Sequence, residues 1–291
     1  MGGVSHARYR SGVRLVLLLS CADRPGIVAS VSRWIVEVGG NIVEADQHTD
    51  VTAGLFLQRI EFDAALTLDE ARASFRPIAD EFSMTWSVHP IGVPSPIVVL
   101  GSIEAHCVYD LLSRIATAEF PAACLAIVSN HPDLRVAADR FGVPFHCLPV
   151  DDTKPSEQEG QLLSLLDELA PELVVLARYM RILSPTYVAS WGERTINIHH
   201  SFLPAFAGAR PYQQAYARGV KVIGATAHYV TEDLDEGPII AQGVTEVSHR
   251  DDIDDLRRRG RDMETVVLAR AVRQHLEHRV IAYANRTVVF D

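Results

Sequence analysis

Five short apolar runs, separated by stretches of helical periodicity, constrain this chain more than any other feature. They are "IVVLGS" (97–102), "CLAIVSN" (124–130), "FHCLPV" (145–150), "ELVVLAR" (172–178) and "RTINIHH" (194–200). They are near-continuous apolar runs, the pattern of strands buried on both faces. Segments such as "DLRVAADRF" and "EQEGQLLSLLDELA" read as helices between them. Strand and helix in alternation predict a doubly wound, mostly parallel, Rossmann-like α/β sheet. "KVIGATAHYV" and "GPIIAQGVTEVSH" then predict an antiparallel extension, joined through the acidic "TEDLDE". A long helix over 252–278 and a strand "RTVVF" close the chain.

The residues ahead of these runs follow another plan. "VRLVLLLS" is an apolar strand, "GIVASVSRWIVEV" has helical spacing, and Asp23 and Pro25 suit its start. "NIVEADQHTD" and "GLFLQRIEF" read as strands, "TLDEARASFRPIADEF" as a helix and "SMTWSVH" as a last strand. This βαββαβ order is ferredoxin-like. The expected division is a flexible 1–12, a small domain over 13–89, a proline-rich linker over 90–96 and a larger domain over 97–291.

A chain of 291 residues with 48% hydrophobic and 22% charged residues can bury its own core. A formal charge of -10 argues against nucleic acid as partner. The four cysteines share no CxxC spacing, which suits a reducing compartment. The run "VRLVLLLSC" is too short to span a membrane, so the expectation is a cytoplasmic protein without a membrane partner.

Side chains alternate along a strand, so Asn197 and His199 share one face of "TINIHH" and His200 falls on the other. Ligands of open parallel sheets bind at the strands' carboxyl ends, where an amide and an imidazole can hold a developing oxyanion. A single histidine there is more often bonded to a backbone carbonyl; Asn-x-His at a strand end points to function. His199, His200 and His228 do not have the spacing of a metal site. Glu232, Asp233, Asp235 and Glu236 form either a solvated hairpin tip or a loop that turns one carboxylate inward, and composition does not say which. Arg181, amid Met180, Ile182 and Leu183, is either a snorkelling cation or the edge of an apolar slot for a flat, amphiphilic carboxylate. The first turn of the larger domain, "LGSIEAHC", holds one glycine and no phosphate-binding pattern, and Cys107 reads as packing.

The segment from "NIHHSFLPAFAGARPY" to "HYVTEDLDEGPII", with "EAHCVYDLLSR", "LARYMRILSP" and "GRDMETVVLARAV", resembles the formyltetrahydrofolate deformylases over nearly the whole chain. The portion around "DRPGIVASVSRWI" is similar to ACT domains. The resemblance implies hydrolysis of 10-formyltetrahydrofolate by Asn197, His199 and Asp235, with no metal or cofactor. It implies a folate pocket from Arg181, Ile182, Leu183, Val230, Thr231 and Glu232, shaped by His200 and His228. For the ACT-like part it implies a dimer contact, or a site for an amino acid such as glycine or methionine. That site would join the turn of Asp23, Pro25 and Gly26 to the turn of Gly40 and Asn41, in a homo-oligomer (dimer or tetramer). A glycinamide-ribonucleotide-type formyltransferase and a sensor that only binds folate or amino acid are the competing readings. The missing phosphate loop and the second histidine of "NIHH" favour water as acceptor.

Overall fold

The computed structural model describes residues 12–150, 155–204 and 211–291. The 1–11 stretch of the expected flexible N-terminus, and the "AFAGAR" part of the shared motif, lie outside them. The chain forms two compact units. One runs up to Val93 and includes His278–Ile281 and Val288–Asp291; the other comprises Pro94–Glu277 with Ala282–Thr287. The last residues thus group with the first unit, whereas the sequence reading assigns them to the larger domain. His278 accounts for this: its ring stacks on His89 at 3.9 Å, and its carbonyl accepts a 2.9 Å bond from Arg59 Nε.

The first unit contains β1 (Val13–Ala22), α1 (Ile27–Glu37), β2 (Asn41–Asp50), β3 (Leu55–Ala64), α2 (Leu68–Phe82) and β4 (Thr85–Pro90). The strands pair antiparallel in the order β2-β3-β1-β4, the ferredoxin-like arrangement. Alternation in β1 sends Leu15, Leu17, Leu19 and Cys21 into the core, where Trp34, Phe62, Phe75 and Trp86 meet edge to face. Thr67 and Glu70 form a capping box on α2. Asp23 does not cap α1. The turn through Pro25 and Gly26, with Gly26 at φ 100°, delays the helix to Ile27 and leaves Asp23 exposed.

The second unit continues with β5 (Ser95–Gly101), α3 (His106–Ala116), β6 (Ala122–Ser129), α4 (Arg135–Phe141), β7 (Phe145–Cys147), α5 (Pro155–Leu169) and β8 (Leu173–Leu176). It goes on through α6 (Pro185–Trp191), β9 (Thr195–His199), α7 (Pro211–Arg218), β10 (Val222–Tyr229), β11 (Ile239–Glu246) and α8 (Ile253–Leu276). Strands β12 (Val280–Tyr283) and β13 (Arg286–Val289) pair as a separate hairpin. The seven-stranded sheet runs β11-β10-β9-β8-β5-β6-β7, parallel from β9 to β7 and antiparallel at β10 and β11. The apolar runs form its centre: Val98, Leu100, Val128, Val174 and Leu176 are buried against Leu162, Leu166 and Tyr187. From β5 the chain winds one way to β7, then returns to β8 and β9 on the other side, so the crevice of a switch point opens beside β5 and β8. No helix among the described residues is long and apolar enough to cross a membrane.

Candidate active site

Three side chains share one face of β9 and β10. Asn197 and His199 lie two residues apart on β9, and the antiparallel register sets His228 of β10 directly opposite Asn197. Asn197 Nδ2 is 3.2 Å from His228 Nε2, while His228 Nδ1 lies 2.8 Å from the carbonyl of Tyr229. The second contact places the His228 proton on Nδ1, so Nε2 accepts from the Asn197 amide and fixes its orientation. The register of β10 against β11 shifts at Ala227/His228, a bulge of the kind that re-aims a side chain. Beyond β9 the chain is pinned by Thr226, whose hydroxyl donates to the carbonyl of Ser201 and accepts from the amides of Leu203 and Gln242.

The acidic loop supplies one inward carboxylate. Glu232, Asp233 and Glu236 are exposed, whereas Asp235 is 19% exposed and reaches the face carrying Asn197 and His199. Its Oδ2 lies 3.1 Å from His199 Nδ1, and its Oδ1 lies 3.5 Å from Asn197 Nδ2 and 3.7 Å from His228 Nε2. Asp235 has φ 60°, a left-handed conformation that aspartate tolerates better than most residues. Gly237 lets the loop return across the sheet, since a Cβ there would stand 1.8 Å from the carbonyl oxygen of Tyr229. Burial works to raise the Asp235 pKa, but the hydrogen bond from His199 above all holds it well below the usual carboxylate range. His199 is buried, and its Nε2 has no hydrogen-bond partner among the described residues.

These groups open into a cavity of about 410 Å³. Arg181, Ile182, Leu183, Val230, Thr231 and Glu232 all line it, as do His200 and His228. Its edge is apolar: Met180, Ile182 and Leu234 are 60%, 77% and 62% exposed. Arg178 also lines it, a residue the sequence reading passed over. His200 does not face away from His199. Strand β9 ends at His199, so alternation no longer governs the next residue, and the two rings stack with centroids 5.0 Å apart. Burial, then Arg178 and His199, push the His200 imidazole down to about 4.

The sequence reading joins Asp23, Pro25 and Gly26 to Gly40 and Asn41 in one effector site, and the fold separates them. They stand at opposite ends of α1, an 11-residue helix about 16 Å long. Asp23, Pro25 and Gly26 line an open depression with Phe56, away from Gly40 and Asn41. A further group, His106, Cys107 and Glu264, brings three possible metal-ligand atoms within 4.8 Å of one another. It fits a cation poorly: the Arg178 guanidinium already lies 3.5 Å from the Glu264 carboxylate, and burial pushes the Cys107 thiol strongly up.

Residues 95–272 match the formyl transferase family. The chain is 50% identical over 277 residues to a formyltetrahydrofolate deformylase of Synechocystis sp., covering 94% of this chain and 97% of that one. The solved structure of a formyltetrahydrofolate deformylase from Pseudomonas syringae pv. tomato superposes with a TM-score of 0.94 at 45% identity, over 97% of this chain and 96% of that one. Glycinamide ribonucleotide transformylase 1 from Symbiobacterium toebii reaches only 0.65 at 31% identity, covering 70% of this chain and 97% of its own. With nearly its full length matched at such identity, the chain belongs to the formyltetrahydrofolate deformylase family.

Proposed function

We propose that this chain hydrolyses 10-formyltetrahydrofolate to formate and tetrahydrofolate through Asn197, His199 and Asp235, without a metal or other cofactor. One observation carries the reading: of the four loop acids, only Asp235 turns inward, and it meets His199 beside Asn197 at an apolar-edged cavity.

The formyl group is an amide-like carbonyl on a weakly basic nitrogen. Water adds to its carbon, the carbon–nitrogen bond breaks, the nitrogen takes up a proton, and formic acid loses one to become formate. With Nδ1–H donated to Asp235, His199 presents Nε2 to the reacting centre. There it accepts the proton of the attacking water and returns it to the leaving nitrogen. Asn197 has one N–H on His228 and the other only 3.5 Å from Asp235, a long contact that a bound formyl oxygen replaces. Such a donor contributes about 3 kcal/mol to an oxyanion transition state. Asp235 holds the charge that forms on His199 and stands close enough to orient the water.

Arg181, Ile182, Leu183, Val230, Thr231 and Glu232 are assigned to the folate, whose flat ring suits the exposed apolar edge. Formyl transfer to a phosphorylated amine has less support. Gly101 is used for packing, since a Cβ there would stand 2.6 Å from Leu134 Cδ1, and no glycine-rich cradle follows it. The product formate would serve purine synthesis and one-carbon balance in the cytoplasm. The first unit would bind a small amino acid near Asp23 and Gly26, or join copies into a dimer or tetramer. The test is formate release by purified protein with chelator present and no acceptor added. Release abolished by His199→Ala is the expected result; turnover only with glycinamide ribonucleotide added would overturn the reading.

A further inference from the structure

A buried charged cluster adjoins the catalytic cavity, and the hydrolysis above does not use it. Glu264 of α8 is 1% exposed. Its Oε1 accepts a 2.9 Å bond from the Tyr212 hydroxyl, and its Oε2 lies 2.8 Å from His106 Nε2. Gly260, one turn earlier on α8, makes room for this, because a Cβ there would stand 2.0 Å from the Tyr212 oxygen. Arg178 adjoins both the cluster and the cavity. Its Nε lies 3.5 Å from Glu264 Oε2, and it lines the cavity with Asn197, His199 and His200.

Two features set Arg178 apart. Its backbone has φ 64°, an unfavourable conformation for a long side chain. Its Nε and Nη1 are buried, and neither has a hydrogen-bond acceptor among the described residues. The Glu264 carboxylate is a charge partner at 3.5 Å but takes no hydrogen bond from either, so two guanidinium nitrogens still have N–H groups to offer. The parallel register pairs Leu176, the last residue of β8, with Asn197 of β9, and Arg178 follows two residues beyond that strand end. Arg178 thus lines the same cavity as Asn197, His199 and Asp235.

We infer that Arg178 forms a subsite for the formate product, receiving the carboxylate as it leaves the folate nitrogen. This rests on the hydrolytic reading. Hydrolysis creates a small planar monoanion beside the Asp235 carboxylate, which repels it. A guanidinium fork matches carboxylate geometry and supplies the opposite charge. Arg181, the other arginine lining the cavity, follows Met180 and precedes Ile182 at the apolar edge, next to the expected folate ring.

The experiment uses the full-length enzyme, with formate inhibition of turnover and NMR titration of ¹³C-labelled formate in the presence of tetrahydrofolate. Arg178→Gly removes the guanidinium at a position whose backbone suits glycine. Arg178→Lys keeps the charge without the fork and decides the matter should the glycine variant not fold. Formate is expected to inhibit the wild type. Arg178→Gly should weaken its inhibition and binding by at least about tenfold, and Arg178→Lys by at least about threefold. Inhibition by tetrahydrofolate should stay within about threefold of the wild type in both. Wild-type formate affinity in either variant, or a wild type indifferent to formate, overturns the inference. A wild type that releases no formate from its substrate defeats the hydrolytic reading first, and the subsite falls with it.

Discussion

Replacing Asp235 with asparagine keeps the shape of the loop and removes the charge that His199 relies on. The carboxylate lies 3.1 Å from His199 Nδ1, whose hydrogen bond outweighs the effect of burial and holds the carboxyl pKa low. A hydrogen bond to a charged group contributes about 1.5–3 kcal/mol. If that is felt fully in the transition state, kcat falls by about 10- to 150-fold. An amide does further harm, because it can present an N–H to His199 Nδ1 and so favour the tautomer with the proton on Nε2, where the base is needed. We expect kcat for formate release to fall by at least about 100-fold, and KM for the folate to change by less than about threefold, since the apolar edge is untouched. Combining Asp235→Asn with His199→Ala should be no slower than His199→Ala alone, within about threefold, if Asp235 acts through the imidazole. A further loss of about tenfold would mean that Asp235 also holds the water itself. An Asp235→Asn enzyme within about threefold of wild-type kcat would refute the assignment. Because the folded pKa is depressed, the Asp235 contribution to stability is present above the unfolded value of about 3.9 and is lost only as pH falls below it.

His200 acts in the same direction but at higher pH: its folded value of about 4 lies below that of an unfolded histidine, so the unfolded chain binds the proton first as pH falls. Stability should drop by about 2 kcal/mol between pH 7 and 5 on this account, and urea unfolding should show that much less pH dependence in His200→Gln. Thr226→Val leaves the amide of Leu203 without its acceptor and should cost about 1–3 kcal/mol in urea unfolding, with kcat reduced because the chain after His199 loosens. Gly237→Ala places a Cβ 1.8 Å from the Tyr229 oxygen, so the loop must move; thermal melting should show a loss of more than about 1 kcal/mol and kcat should fall by at least about tenfold. An unchanged melting temperature and kcat in that variant would show that the loop position does not depend on the glycine.

The central strands were readable because burial on both faces leaves an unmistakable mark: Val98, Val99, Val174 and Val175 are fully buried, and no helix face explains such runs. Asn197 and His199 were readable for the same reason, since two polar groups on one face of so apolar a strand require partners. Helices α6 and α7 were missed because each is short, seven and eight residues, and opens on a proline that reads equally well as a loop. The proposed pairing of the Gly26 and Gly40 turns failed because two glycine turns bounding one helix are near in sequence and far apart in space. Arg178 left no sign at all, because neither its left-handed backbone nor its two guanidinium nitrogens without acceptors among the described residues can be inferred from residue type.

The choice among the four loop acids shows why that limit exists. Glu232, Asp233, Asp235 and Glu236 have nearly the same chemistry, and hydropathy cannot rank them. What selects Asp235 is the path of the backbone. The antiparallel course of β10 carries His228 past Asn197, so the chain leaves the sheet beside Thr195, where Val230 N donates to the Thr195 carbonyl at 3.0 Å. It must then double back to begin β11 opposite His228. Only a residue without a side chain can follow Tyr229 so closely on the return, and Gly237 fills that need. Two residues earlier, the φ of 60° at Asp235 reverses the direction of the chain and turns that carboxylate to the sheet face while its neighbours stay in solvent. A helical crossover in place of this hairpin would have covered Asn197 and His199 with apolar side chains, as happens elsewhere in the sheet. The antiparallel edge is therefore what makes the site possible: it leaves one face of β9 uncovered by helix and brings back across it a loop with a single inward acid.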